Sequence, residues 1–226
     1  MQRERMDDPF LAGHLHRHAL QGLSRLNLLS GSTGIVWSEI KDLTRGRERP
    51  LRILDLASGS GDIALGVWRR ARRAGADVEI LGVDASPMAA RFANERAAKA
   101  GVPIRFSVLD VTLDPLPDGF DVVMCSLFLH HLDEEGATSL LTKMRTAAGR
   151  LVLVSDLVRS ARGLALAGFA SRLFTSSEVV HTDATRSVRA AFRPAELDML
   201  ARRAGMDGAR IRRRWPFRML LSWKPE

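Results

Sequence analysis

Three acids and two glycines carry the first chemistry legible in this 226-residue chain. The stretch "ILDLASGSGDIALGV", Ile53 to Val67, runs from apolar residues into Asp55, then through small residues, then into a helical pattern. Gly59 and Gly61 at that bend permit positive φ and a close backbone approach to a ligand. The helix N-terminus behind them offers unpaired N–H groups to an anionic or carboxylate-bearing group. Asp84 closes a second apolar run 23 residues after Gly61, where an acid accepts hydrogen bonds from both hydroxyls of a ribose. Asp110 closes a third such run. Asp is a poor strand former, so three acids at three strand ends point to a ligand, and the chemistry fits a nucleoside.

The elements that must position these residues follow from hydrophobic periodicity. "LRILDLA", "VEILGVD", "IRFSVLD", "FDVVMCSLFL" and "RLVLVSDLV" read as strands. Between them lie helical patterns: Asp62–Ala74, the Ser86-capped "SPMAARFANERAAKAG" with Pro87 at its first position, and "DEEGATSLLTKMRTAAG". "RPAELDMLARRAG" is a late helix, and "ARIRRRWP" with "FRMLLSWK" a closing hairpin turned at Pro216. Nearly continuous apolar strands alternating with helices mean a parallel sheet buried on both faces. The expected fold is α/β and doubly wound, with an antiparallel edge hairpin. A single domain over 1–226 is expected, with the cofactor-binding core at 51–157 and the final helix and hairpin at 193–226. Residues 1–45 and 160–190 stand outside the alternation and are expected as helical lid segments, because ligands bind beyond the carboxyl ends of such strands.

Composition narrows the classes. A hydrophobic content of 46% with regular patterning excludes a disordered chain. The N-terminal "MQRERMDDPF" has no signal-like apolar run, and no apolar stretch reaches the roughly 18 residues of a membrane span. A cytoplasmic protein is expected. The single cysteine, Cys125, falls in an apolar strand and reads as core. The net charge of +8 raises a nucleic-acid partner, but the arginine runs read as solvated helix faces and strand ends, so nucleic acid is second.

Glycines at 59, 61 and 66 miss the dinucleotide spacing G-x-G-x-x-G. "DLASGSG" resembles instead the first motif of class I S-adenosylmethionine-dependent methyltransferases, with Ala57 where that motif has its first glycine. "GVDASPMAARFA" resembles their ribose-binding segment, and "FSVLDVTLDPLPDGFDVVMCSLFLHHL" their adenine-side loop and fourth strand. Within that group, "DLASGSGDIA", "LNLLSGSTGIVW" and "SVRAAFRPAELDMLARRAGM" resemble the ubiquinone/menaquinone C-methyltransferases, which carry tyrosines where this chain has none. The "HRHALQGLSRLN" and "HTDATRSVRAAF" segments are similar to small bacterial methyltransferases of phenolic polyketide pathways.

The resemblance implies a seven-stranded, Rossmann-like sheet and S-adenosyl-L-methionine as cofactor. It implies that Ala57, Ser58, Gly59 and Gly61 carry the methionine part and that Asp55 holds its amino group through water. Asp84, with Ala85 beside it, takes the ribose hydroxyls. Asp110 takes the adenine amino group, with the Val111 N–H on a ring nitrogen, and Leu127 and His131 border the sulfonium. Six histidines are candidates for a base that removes a phenolic proton. Of "GHLHRH", only His14 and His18 share a helix face, with no acid nearby, so no metal site is expected. His181, in the second lid segment, is the expected base, with His131 its nearest competitor. "GLALAGFASRLF" and "ALQGLSRLNLL" are apolar at helical spacing and would give a pocket for a small aromatic or lipophilic acceptor. O-methylation of a phenolic compound is the leading reading. C-methylation of a quinol, RNA methylation and nucleoside binding without turnover remain open.

Overall fold

The computed structural model describes residues 13–29, 31–175 and 177–225. Two helices precede the sheet, α1 (Gly13–Leu29) and α2 (Ser32–Ile40). The alternating part follows as β1 (Leu51–Leu56), α3 (Asp62–Arg73), β2 (Val78–Asp84), α4 (Pro87–Lys99), β3 (Arg105–Val108), β4 (Phe120–Ser126), α5 (Glu134–Ala147) and β5 (Ala148–Leu157). Then come α6 (Ala161–Phe174), α7 (Glu178–Ala190), α8 (Pro194–Arg203), β6 (Arg210–Arg214) and β7 (Arg218–Trp223).

The seven strands form one sheet in the order β3-β2-β1-β4-β5-β7-β6. The first five pair parallel, and β7 runs antiparallel against both β5 and β6. The expected hairpin is therefore present, and its second strand is the one inserted next to β5. Side-chain alternation divides the core in two. Leu54 and Leu56 of β1 face α5 and α8 through Leu140, Leu141, Met144, Leu197 and Leu200. Leu51 and Ile53 face the opposite way, towards α2, α3 and α4. β3 is an edge strand, with only Phe106 of its four residues buried, so the expectation of strands buried throughout does not extend to it.

Local chemistry sets the helix ends. The Ser86 hydroxyl accepts from the Ala89 N–H and Pro87 occupies the first turn of α4, while Asp133, Ser160 and Ser177 cap α5, α6 and α7 in the same way. Gly66, the glycine at the wrong spacing for a dinucleotide motif, serves packing. A Cβ there would lie 2.5 Å from the Thr33 side chain, so it is where α3 meets α2.

Part of the expected N-terminal lid is core. Val36 and Ile40 of α2 are fully buried against β1 and α3, which makes α2 a layer of the domain rather than a cover. The α1 helix is placed differently, against α2, α3, α4, α6 and α7. Residues 160–190 form α6 and α7, packed on each other and on α1. Ser187–Arg189, within the segment that resembles the quinone C-methyltransferases, form the last turn of α7.

Candidate functional site at the strand ends

The chain leaves β1 through a residue in a left-handed conformation, Ala57 at φ 49°. A Cβ makes that conformation costly, by about 1–2 kcal/mol, which gives the physical reason for a glycine at the first position of the motif that "DLASGSG" resembles. The turn is held from outside. The Ser58 N–H donates to the Val83 carbonyl at 2.9 Å, and the Gly61 N–H to the Ser58 carbonyl at 2.9 Å. Gly61 then opens α3 at φ 71°, and a Cβ on it would lie 2.5 Å from the Phe106 ring. No other residue type fits there.

Asp84 joins the β1 and β2 ends. One carboxylate oxygen accepts the Gly59 N–H at 2.8 Å and the other the Ser86 N–H at 2.9 Å, with Ala85 exposed between. Open space lies in front of Gly59. Asp55 sits beneath the turn, 1% exposed. Its Oδ2 is buried with no hydrogen bond, as is the Ser58 hydroxyl. Burial first, then the Asp62 and Asp84 charges, push the Asp55 carboxyl well above the usual carboxylate range. Such a group is poised for a cation.

The third acid is looser. Asp110 Oδ1 accepts the Thr112 hydroxyl at 2.6 Å and the Thr112 N–H at 2.9 Å, and these bonds, the hydroxyl foremost, hold its pKa down. Lys143 of α5 fixes the turn by donating to the Val111, Thr112 and Asp114 carbonyls, and Val111 is buried. Leu127, after β4, is a second non-glycine at positive φ, 59°, with its N–H on the Ser155 carbonyl at 2.8 Å. The ten residues expected to hold a cofactor thus all lie at the carboxyl ends of β1 to β4.

The two expected catalytic histidines come from different elements. His131 ends a 3-10 turn, Leu129–His131, with its ring stacked on Phe128 at 5.7 Å between centroids. His181 stands in the first turn of α7, and α7 packs against that same turn. His181 Nε2 lies 2.7 Å from the Thr175 carbonyl oxygen. A carbonyl only accepts, so Nε2 carries the hydrogen and Nδ1 is the basic nitrogen of the neutral ring. The side chains of His14 and His16 lie outside the described residues. Among the described residues no group of three or more His, Cys, Asp or Glu is placed to hold a metal.

Sequence reasoning missed a buried pair beneath His131. His130 Nδ1 is 2.6 Å from Asp156 Oδ1, the His130 N–H donates to Asp156 Oδ2 at 3.0 Å, and the Leu157 N–H donates to Oδ1 at 2.7 Å. Burial would raise the Asp156 pKa, but the His130 charge and these donors outweigh it and hold the carboxyl below its ordinary value. The signal was available, since Asp156 is one more acid near the end of an apolar strand. Also missed was Arg96 of α4, which donates to the Ser60 carbonyl at 2.8 Å and to the Ser24 hydroxyl of α1 at 3.1 Å. Asn27 of α1 hydrogen-bonds Asp62, the first residue of α3. α1 is thereby fastened to the glycine turn. Cys125 is a buried free thiol whose pKa burial raises, an inert core residue.

With this geometry in view, residues 53–148 match the family model described as a methyltransferase domain. The chain is 38% identical over 107 residues to a demethylmenaquinone methyltransferase of Thermus thermophilus, covering 46% of this chain and 47% of that protein. It is 32% identical over 111 residues to a 3-hydroxy-5-methyl-1-naphthoate 3-O-methyltransferase of Streptomyces sahachiroi, covering 47% and 31%. The chain thus spans about half, or less, of the length of these curated relatives. Among solved structures, magnesium protoporphyrin IX methyltransferase from Synechocystis PCC 6803, with bound SAH, superposes over 98% of this chain and 92% of its own, with a TM-score of 0.62 at 17% identity. Residues 53–148 thus match the methyltransferase-domain model, and the chain has the fold of the class I methyltransferases.

Proposed function

We propose that this chain transfers a methyl group from S-adenosylmethionine to the hydroxyl oxygen of a small, lipophilic, phenol- or quinol-like acceptor. The observation that carries the reading is the strand-end cradle, above all the buried Asp55 oxygen with no hydrogen bond. The groups of S-adenosylmethionine match what is there. Asp55 meets its amino group through water, Asp84 the ribose hydroxyls beside Ala85, and Asp110 with the Val111 N–H the adenine edge. Ala57, Ser58, Gly59 and Gly61 form the floor under the methionine part, and Leu127 and His131 border the sulfur. When bound, S-adenosylmethionine supplies a methyl group already activated by positive sulfur.

The protein's share is alignment, exclusion of water and removal of one proton. α1, α6 and α7 cover the acceptor and keep water out. His181 Nδ1 takes the proton of the acceptor hydroxyl, whose unperturbed pKa is about 10, while Nε2–H stays on the Thr175 carbonyl. The naphthoate O-methyltransferase relative supports an aromatic hydroxyl as acceptor. The demethylmenaquinone methyltransferase relative supports a second reading, transfer to a quinol ring carbon.

Incubation with methyl-labelled S-adenosylmethionine and a panel of phenols, naphthols, quinols and RNA tests the proposal. The label is expected on the oxygen of an aromatic acceptor. His181→Ala should lower turnover by about 10²–10⁴-fold with cofactor affinity retained, and the loss should shrink as pH approaches about 10, where solvent supplies the phenolate. Label on carbon selects the quinol-ring reading. Turnover within a few-fold of wild type in His181→Ala at neutral pH removes His181 as base.

A further inference from the structure

The outer face of α6 and the tip of the β6–β7 hairpin present an apolar surface that nothing in the core uses. Leu166, Phe169 and Leu173 recur at three- and four-residue spacing, so they form one stripe along the helix, and they are 39%, 66% and 61% exposed. Gly163 begins the stripe, and a Cβ on it would lie 3.3 Å from Phe217 Cβ, so the hairpin tip abuts it. Phe217 and Trp215 stand there 36% and 84% exposed. Single exposed apolar residues are ordinary, but five large ones on two adjoining elements form a patch of the kind that marks an interaction surface.

Charge identifies the occupant. Residues 157–177 and 208–225, which carry the patch, contain nine basic residues and not one Asp or Glu. Some of these are engaged inside the protein: Arg218 with Asn27, Arg159 with Glu196, and Arg212 and Arg214 with Glu39. Arg162 and Arg172 on α6 itself, and Arg213 on the hairpin, remain exposed with no carboxylate partner among the described residues. An apolar stripe rimmed by arginine, with tryptophan at its border, has the chemistry of a helix lying in the headgroup region of an anionic bilayer. A second copy of the same face would set arginine against arginine. A nucleic acid would use the charge but would leave Leu166 and Leu173 unexplained.

We propose that this face, Leu166, Phe169 and Leu173 with Trp215 and Phe217, docks the protein on an anionic lipid surface. No helix of the described residues is long and apolar enough to cross a membrane, so the contact is peripheral. The inference stands apart from the methyl-transfer reading, although a bilayer is also where a lipophilic acceptor would concentrate. The test is co-sedimentation with vesicles of phosphatidylcholine containing about one-third phosphatidylglycerol, against pure phosphatidylcholine. Wild type should bind the anionic vesicles and release from them as salt is raised. A Phe169→Ser, Leu173→Ser, Trp215→Ser triple variant should bind at least about tenfold more weakly. Its melting temperature and S-adenosylmethionine affinity should stay at wild-type values, which separates lost docking from lost folding. The proposal is overturned if wild type ignores anionic vesicles, or if the triple variant binds them as wild type does. It is equally overturned if wild type is a dimer that the triple variant dissociates, or if RNA is retained through the arginines and displaces the vesicles.

Discussion

At Asp55 a carboxyl group is kept from water with one oxygen unbonded, and its neighbours Asp62 and Asp84 add negative charge. Its raised pKa means that these surroundings favour the protonated form, whereas a cationic amino group favours the ionised one. Binding of S-adenosylmethionine should therefore release a proton, and affinity should rise with pH through the raised pKa. Calorimetry in buffers of different ionisation enthalpy reads that proton, and in Asp55→Asn both the release and the pH dependence should vanish. An unchanged release in that variant would assign the proton elsewhere. Much of this residue-scale picture was legible beforehand, because glycines and acids at strand ends are unusual enough to be read from type and spacing alone. The choice between adjacent histidines was not. His130 and His131 differ only by one step along a 3-10 turn, and it is Asp156, 26 residues on, that draws His130 inwards. Arg96 was illegible for the same reason, since its partners Ser24 and Ser60 are brought to it only by the fold.

Among the elements, α2 shows most clearly where periodicity stops. Its apolar spacing says that one face is buried but not against what, and the segment before β1 reads equally as lid or layer. The structure places Ile40, 0% exposed, among Leu51, Ile53 and Ala71. Ile40→Ala should cost about 2–5 kcal/mol of unfolding free energy, the range for truncating a buried isoleucine, measured by denaturant melts. A cost below 1 kcal/mol, roughly that of a surface change, would return α2 to the role of a cover. α1 is different in kind. It reaches the site through Ser24 and Asn27, polar groups on Arg96 and Asp62 at the glycine turn, in addition to the apolar burial of Leu20 against Ala89 and Phe92 of α4.

Across the whole molecule, the alternation of apolar strands and helices was sufficient to read the doubly wound sheet and its antiparallel hairpin, because each strand's burial is written in its own residues. The insertion of β7 beside β5 was not, since the six-residue strand pairs with partners 60 or more positions away. The charges scattered over this scaffold also fix how stability responds to acid. Burial raises the Asp55 and Asp62 pKa values, with Asp62 partly relieved by its hydrogen bonds to Ser60 and Asn27 and by Arg96. Their contribution is full below the unfolded value near 3.9 and is lost as pH rises through the folded values. Asp121 and Asp156 behave oppositely. Burial opposes their ionisation, but the Arg52 N–H with Arg49 and Arg47, and His130 with its backbone donors, hold both pKa values down, so their contribution is lost as pH falls through them. Stability should therefore peak on the acid side of neutrality and collapse below about pH 4, a course that urea melts across the pH range will follow. A steady decline from pH 7 downwards would contradict it. Whether S-adenosylmethionine lies over the glycine turn with its ribose on Asp84 is read by titrating it calorimetrically into wild type and Asp84→Ala. Hydrogen bonds to a charged group are worth about 1.5–3 kcal/mol, so wild type should bind and Asp84→Ala, folded by circular dichroism, should bind about ten- to a hundredfold more weakly. Absence of binding to wild type would remove S-adenosylmethionine from this site, and equal affinity in a folded Asp84→Ala would remove its ribose from Asp84.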